Sequence, residues 1–107
     1  MIFIKIWLDD IRPAPDNSYF HCRSVDEAKA VITLYELQNS DTTIILDLDY
    51  DLGDYYENGG DAVKLLDWLE ERRIVDTDYF FRLHTANPVG AENMRRIIEK
   101  NGWRELF

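Results

Sequence analysis

Four aspartates stand in two short clusters, Asp9-Asp10 and Asp49-Tyr50-Asp51, and each cluster follows an apolar run. Carboxylates brought close together repel, so some must protonate or a cation must join them. Oxygen donors without soft partners suit Mg²⁺, with Mn²⁺ and Ca²⁺ as alternatives. Asp9, Asp10, Asp49 and Asp51 are therefore the candidate ligands. Asp47 shares strand parity with Asp49 and Asp51 and ranks below them. Any one of these residues alone would read as a solvated loop acid or a helix-entry cap. A pair after one strand and an alternating pair after another favour a metal site.

The third cluster is His84-Thr85-Ala86-Asn87-Pro88-Val89-Gly90. Asn87 is a good helix cap and Pro88 suits the first helical position. The N–H groups at such a helix start attract anions, phosphate included. Gly90, without a side chain, offers a ligand close approach to the backbone, and Thr85 stands just before the helix. His84 is placed to act as general acid or base near neutral pH. The alternative is a histidine that only hydrogen-bonds within its loop. Arg12 either grips a phosphate oxygen with its fork or pairs with a neighbouring aspartate. His21, in a short strand, reads as structural. Tyr50, Tyr55 and Tyr56 either line a pocket for a base or pack over the rim.

These clusters need a scaffold that gathers them. Ile2–Leu8 reads as a largely buried strand and 11–18, with two prolines, as a loop. Tyr19–Arg23 is a short strand. Ser24, with Glu27 three positions on, forms a capping box that opens a helix to about Gln38. Thr42–Leu48 is a β-branched, buried strand, followed by an acidic loop from Asp49 to Gly60. Helical periodicity returns over Asp61–Arg73, with Ala62, Leu65, Leu66 and Leu69 on one face. Tyr79–His84 is a strand, a helix runs from Pro88 to about Lys100, and Asn101-Gly102 ends it. Trp103–Phe107 is a possible last strand. The alternation predicts an α/β protein, a three-layer sandwich with a small parallel sheet covered on both faces. Ligands in such sheets collect beyond the carboxyl ends of the strands, where all three clusters fall.

At 107 residues the chain has the length of one domain, expected to span 1–107. Acids outnumber bases 21 to 12, giving a net charge of −9, which disfavours non-specific nucleic-acid binding, duplex DNA included. A small phosphorylated ligand or a nucleic-acid strand end remains compatible if a metal ion reverses the local sign. The single cysteine, Cys22, allows no internal disulfide and suits a reducing cytoplasm. It reads as a buried filler. No stretch approaches the length of a membrane helix.

The three clusters resemble those of response-regulator receiver domains. That resemblance implies a flavodoxin-like fold, an acidic pair and central aspartate that hold Mg²⁺, and a central aspartate that accepts a phosphoryl group. Two features depart from receivers. The loop 11–18 replaces the usual first helix, and after Trp103 there is neither the usual lysine nor a final helix. A closer resemblance is to the cyclic-phosphate processing receiver-like family. Its pattern runs as an aspartate pair followed by Arg-Pro, then Leu-Asp-His-Asp-Leu-Gly, then His-Ser-Ala-Asn-Pro-Val-Gly. Here these are Asp9-Asp10-Ile11-Arg12-Pro13, Leu48-Asp49-Tyr50-Asp51-Leu52-Gly53 and His84-Thr85-Ala86-Asn87-Pro88-Val89-Gly90. Tyr50 replaces the usual His, and Thr85 replaces Ser while keeping a hydroxyl.

The resemblance implies metal-dependent processing of a cyclic phosphate, on a nucleotide or an RNA end. His84, Asp49 and Asp51 would be catalytic, and Arg12, Thr85, Asn87 and Gly90 would hold phosphate. The alternative is a non-catalytic receiver-like sensor that binds metal and phosphate, or receives a phosphoryl group. A haloacid-dehalogenase-like phosphatase, suggested by Asp47-Leu48-Asp49, ranks last, because the chain is short and lacks that family's later motifs.

Overall fold

A computed structural model describes residues 2–38, 42–72 and 78–106. Five parallel strands form one sheet: β1 (Ile2–Leu8), β2 (Tyr19–Cys22), β3 (Thr42–Leu48), β4 (Tyr79–Leu83) and β5 (Arg104–Glu105). Their spatial order is β2-β1-β3-β4-β5. Three helices connect them: α1 (Val25–Gln38), α2 (Val63–Glu71) and α3 (Pro88–Lys100). The α/β receiver-like fold expected from the sequence is therefore present, with a loop between β1 and β2 instead of a first helix among the described residues. Arg73 and Phe107, the expected ends of a helix and a strand, lie outside the described residues.

Local chemistry explains the element ends. The Ser24 hydroxyl accepts the Glu27 N–H at 3.1 Å and opens α1. The Asn87 side chain accepts the Gly90 N–H at 3.0 Å and opens α3, with Pro88 supplying the φ of the first position. Asp61, expected to begin α2, instead accepts the Leu52 N–H through its carboxylate at 3.2 Å. It ties the acidic loop down, and α2 starts two residues later.

Alternate strand residues build the core. Ile4, Ile6 and Leu8 of β1 and Ile44, Leu46 and Leu48 of β3 are buried against Ala28 and Ile32 of α1, Leu65, Leu66 and Leu69 of α2, and Met94 and Ile98 of α3. All three helices thus share one face of the sheet. Their crossovers all run in the same direction across the strand order, and right-handed connections then place them on one side. The β1–β2 connection runs the other way and takes the opposite face. There Arg12 O accepts from the Trp7 indole N–H at 2.9 Å. The third layer of the sandwich is thereby reduced to this loop, near the carboxyl ends of the strands. The rest of that face lacks a helix among the described residues. No described helix is long and apolar enough to cross a membrane.

Candidate metal and phosphate site

Register delivers the site. Leu8, Leu48 and Leu83 are aligned across β1, β3 and β4. The ladder continues one step further, where Asp9 N–H donates to Cys22 O, Asp49 N–H to Leu8 O and His84 N–H to Leu48 O. Asp9, Asp49 and His84 therefore occupy one row at the carboxyl edge, on the face opposite the helices.

Asp9 is fully buried. Its Oδ1 accepts the N–H groups of Ile11 and Arg12 at 2.9 and 2.8 Å. Its Oδ2 lies 3.0 Å from His84 Nε2 and 3.2 Å from Arg12 Nε. Burial pushes this carboxyl up. The two backbone N–H groups and His84 outweigh burial and hold it below its ordinary value.

His84 joins two buried carboxylates. Its Nδ1 lies 2.7 Å from Asp47 Oδ1 and its Nε2 faces Asp9. The ring stacks flat on Trp7, with centroids 3.8 Å apart and planes within 3°. A neutral imidazole donates through one nitrogen only, whereas an imidazolium donates through both. Asp47 thus fixes the orientation of the ring. His21 is structural as expected, since its Nε2 lies 2.8 Å from Asp9 O and helps to fix the β1 end.

Arg12 lies between two carboxylates. Besides Asp9, its Nη2 is 3.7 Å from Asp49 Oδ2. Asp49 is largely buried, and its Oδ1 accepts the Tyr50 N–H at 2.8 Å. Asp9, Asp10 and Asp49 each offer an oxygen within 4.8 Å of the others. Gly53 makes the third carboxylate possible. Its φ is +50°, and a Cβ there would collide with the Asp10 carboxylate.

The arrangement fits a hard divalent cation. All three donors are carboxylate oxygens, and the chain leaves a side-chain-free cradle for Asp10. Asp9 already faces four protein nitrogens, and the Arg12 guanidinium is the exposed one among them, so a cation there competes with Arg12. The Arg12 side chain is half-exposed, and its backbone N–H is anchored on Asp9.

The third cluster is engaged mostly with itself. Thr85 Oγ1 accepts the Asn87 N–H at 3.1 Å. The Asn87 amide caps α3 with its oxygen and donates its Nδ2 hydrogen to Asp51 Oδ2 at 3.1 Å. Asp51 is exposed and stands outside the carboxylate trio. Gly90 requires a correction. Its N–H goes to Asn87, and the space above it is filled by the Tyr50 ring, which any Cβ would strike. Gly90 is a packing seat, not an open approach to backbone. Pro88 has no N–H, so Val89 is the one first-turn residue whose N–H is left for an anion among the described residues.

Trp7 and Gly53 are site residues that sequence reasoning did not assign, and Asp47 was ranked below its neighbours. Trp7 and Asp47 carry the parity of Asp9 and Asp49, a signal that strand alternation supplies. Gly53 is signalled only by its place after Asp51-Leu52.

No match was found among curated proteins or solved structures. The family model of the cyclic-phosphate processing receiver domain matches residues 4–100, a span that contains every residue of the site, and the chain belongs to that family.

Proposed function

We propose that this domain opens a cyclic phosphate ester with the aid of a divalent cation held by Asp9, Asp10 and Asp49. The single observation carrying this reading is the convergence of those three carboxylates within 4.8 Å, beside a histidine clamped between Asp47 and Asp9. Membership of a cyclic-phosphate processing family supplies the substrate class. When bound, the cation supplies positive charge to a phosphoryl oxygen and acidifies water. The chain supplies the remaining steps. Arg12, released from Asp9 and Asp49, grips a second phosphoryl oxygen with its fork. Water oxygen attacks phosphorus and one ring P–O bond breaks. His84, oriented by Asp47, gives its Nε2 proton to the departing oxygen. Asp51, held by the Asn87 amide, takes the proton of the attacking water. Thr85 positions Asn87, and the Val89 N–H faces the anion.

The test is ³¹P NMR of ring opening across 2′,3′- and 3′,5′-cyclic nucleotides with Mg²⁺ or Mn²⁺. Wild type should convert at least one member to a phosphomonoester. Asp49→Asn should abolish turnover, and His84→Ala should slow it by about a hundredfold or more. Unchanged turnover in Asp49→Asn would remove that residue from the mechanism. A stable acyl-phosphate on Asp49 after incubation with a small phosphodonor would favour a phosphoryl-receiving sensor instead.

A further inference from the structure

The helix-free face of the sheet carries chemistry that the site does not use. The strand register aligns Tyr19, Lys5, Ile45, Phe80 and Arg104 in one row across all five strands. Phe3 and Thr43 lie one row towards the amino ends, and Arg82 lies one row towards the site. Phe3 is 57% exposed, Arg82 and Arg104 are exposed, and the others are half-buried. Lys5 Nζ sits 4.3 Å from the centre of the Tyr19 ring, and the Arg104 guanidinium 5.8 Å from that of Phe80.

Three aromatic rings and three cations thus alternate on one face of a chain whose net charge is −9. Asp16 borders Lys5, and Asp47, in the row of Arg82, is buried and held by His84. No ion pair of Arg82 or Arg104 occurs among the described residues. Flat rings interleaved with cations stack bases and neutralise phosphates without reading sequence. The face also runs directly into the carboxylate edge. Rows of one face lie about 6.6 Å apart along the strands, so the Phe80 row stands two rows from Asp9, Asp49 and His84.

We propose that this face binds single-stranded RNA and leads its 3′ end into the carboxylate site. The inference rests on the cyclic-phosphate reading of that site and narrows its substrate to an RNA end. Bases stack on Phe80 and Phe3, while Arg82, Arg104 and Lys5, the last seated over Tyr19, meet the phosphates.

The test is fluorescence anisotropy with a labelled short oligouridine that ends in a plain 3′-hydroxyl, so binding is read without turnover. Wild type should bind it and lose affinity as salt rises. Phe80→Ala should bind about tenfold more weakly. Arg82→Glu and Arg104→Glu, at exposed positions that tolerate substitution, should also weaken binding and flatten the salt slope by about 0.7 each. All three variants should open a cyclic mononucleotide at the wild-type rate. Absence of oligouridine binding by wild type, or binding unaffected by these substitutions, would overturn the proposal. So would a dimer in sedimentation that Arg82→Glu dissociates, since a second copy would then cover the face. Oligouridine binding that depends on these residues, without turnover of any cyclic substrate, would overturn the site reading alone and still support this platform.

Discussion

Arg12 holds the place that a cation would take between Asp9 and Asp49. Its removal should therefore act in opposite directions on the two ligands. Arg12→Ala should strengthen Mn²⁺ binding, because a competing charge is gone. It should also raise KM for a cyclic nucleotide about tenfold, because a charge-assisted contact to phosphate is lost. Isothermal titration and initial rates read the two effects, and a parallel loss of both would contradict this role. Gly53→Ala should weaken metal binding without removing a phosphate contact. The new methyl forces Asp10 away and strains a backbone at φ +50°, costing about 1 kcal/mol of stability and weakening Mn²⁺ binding. Cys22 offers a check on burial. Its thiol is pushed from an ordinary 9.0 up to about 12 by burial first and the Glu27 charge second. The native protein should resist thiol reagents at pH 8 and react once unfolded. The folded state keeps a proton that the unfolded chain releases above pH 9. The Cys22 contribution to stability is therefore complete below pH 9 and falls away as pH rises towards 12.

Elements place these residues, and they also explain what a sequence hides. Asp9, Asp10 and Asp49 are legible because each follows an apolar run, and strand ends in parallel sheets gather at one edge. The Asn87 cap and the Ser24 cap are legible for the same local reason, since a cap is written within four residues. Gly90 is misleading because an absent side chain serves a ligand or a packed ring equally well, and only the long-range position of Tyr50 decides between them. Gly90→Ala should therefore destabilise the start of α3 through a clash with Tyr50. Combining it with Tyr50→Ala should recover part of the loss in chemical denaturation, and simple additivity of the two would count against this contact. Trp7 escapes, and Asp47 ranks low, for a related reason. Their service to His84 depends on which strand lies next to which, and strand order is not a local property.

At the scale of the whole molecule, one cause shapes both faces. The loop 11–18 stands where receivers carry a first helix, so the three described helices cover one side, and the core lies there. Phe81, fully buried and stacked on Trp103 with centroids 5.2 Å apart, anchors that core under β4 and β5. Phe81→Ala should cost about 3–5 kcal/mol in urea denaturation. The other side keeps the loop in which Arg12 O accepts from the Trp7 indole, so the carboxylate cluster and the aromatic sheet face share one surface.

The central claim is that a cation held by Asp9, Asp10 and Asp49 drives opening of a cyclic phosphate. Its most direct test is to follow Mn²⁺ binding and ring-opening rate on the same sample as Mn²⁺ is added. The rate should rise along the binding curve and saturate with it, and both should vanish in Asp49→Asn. Full binding without ring opening, or ring opening that ignores the metal, would contradict the claim.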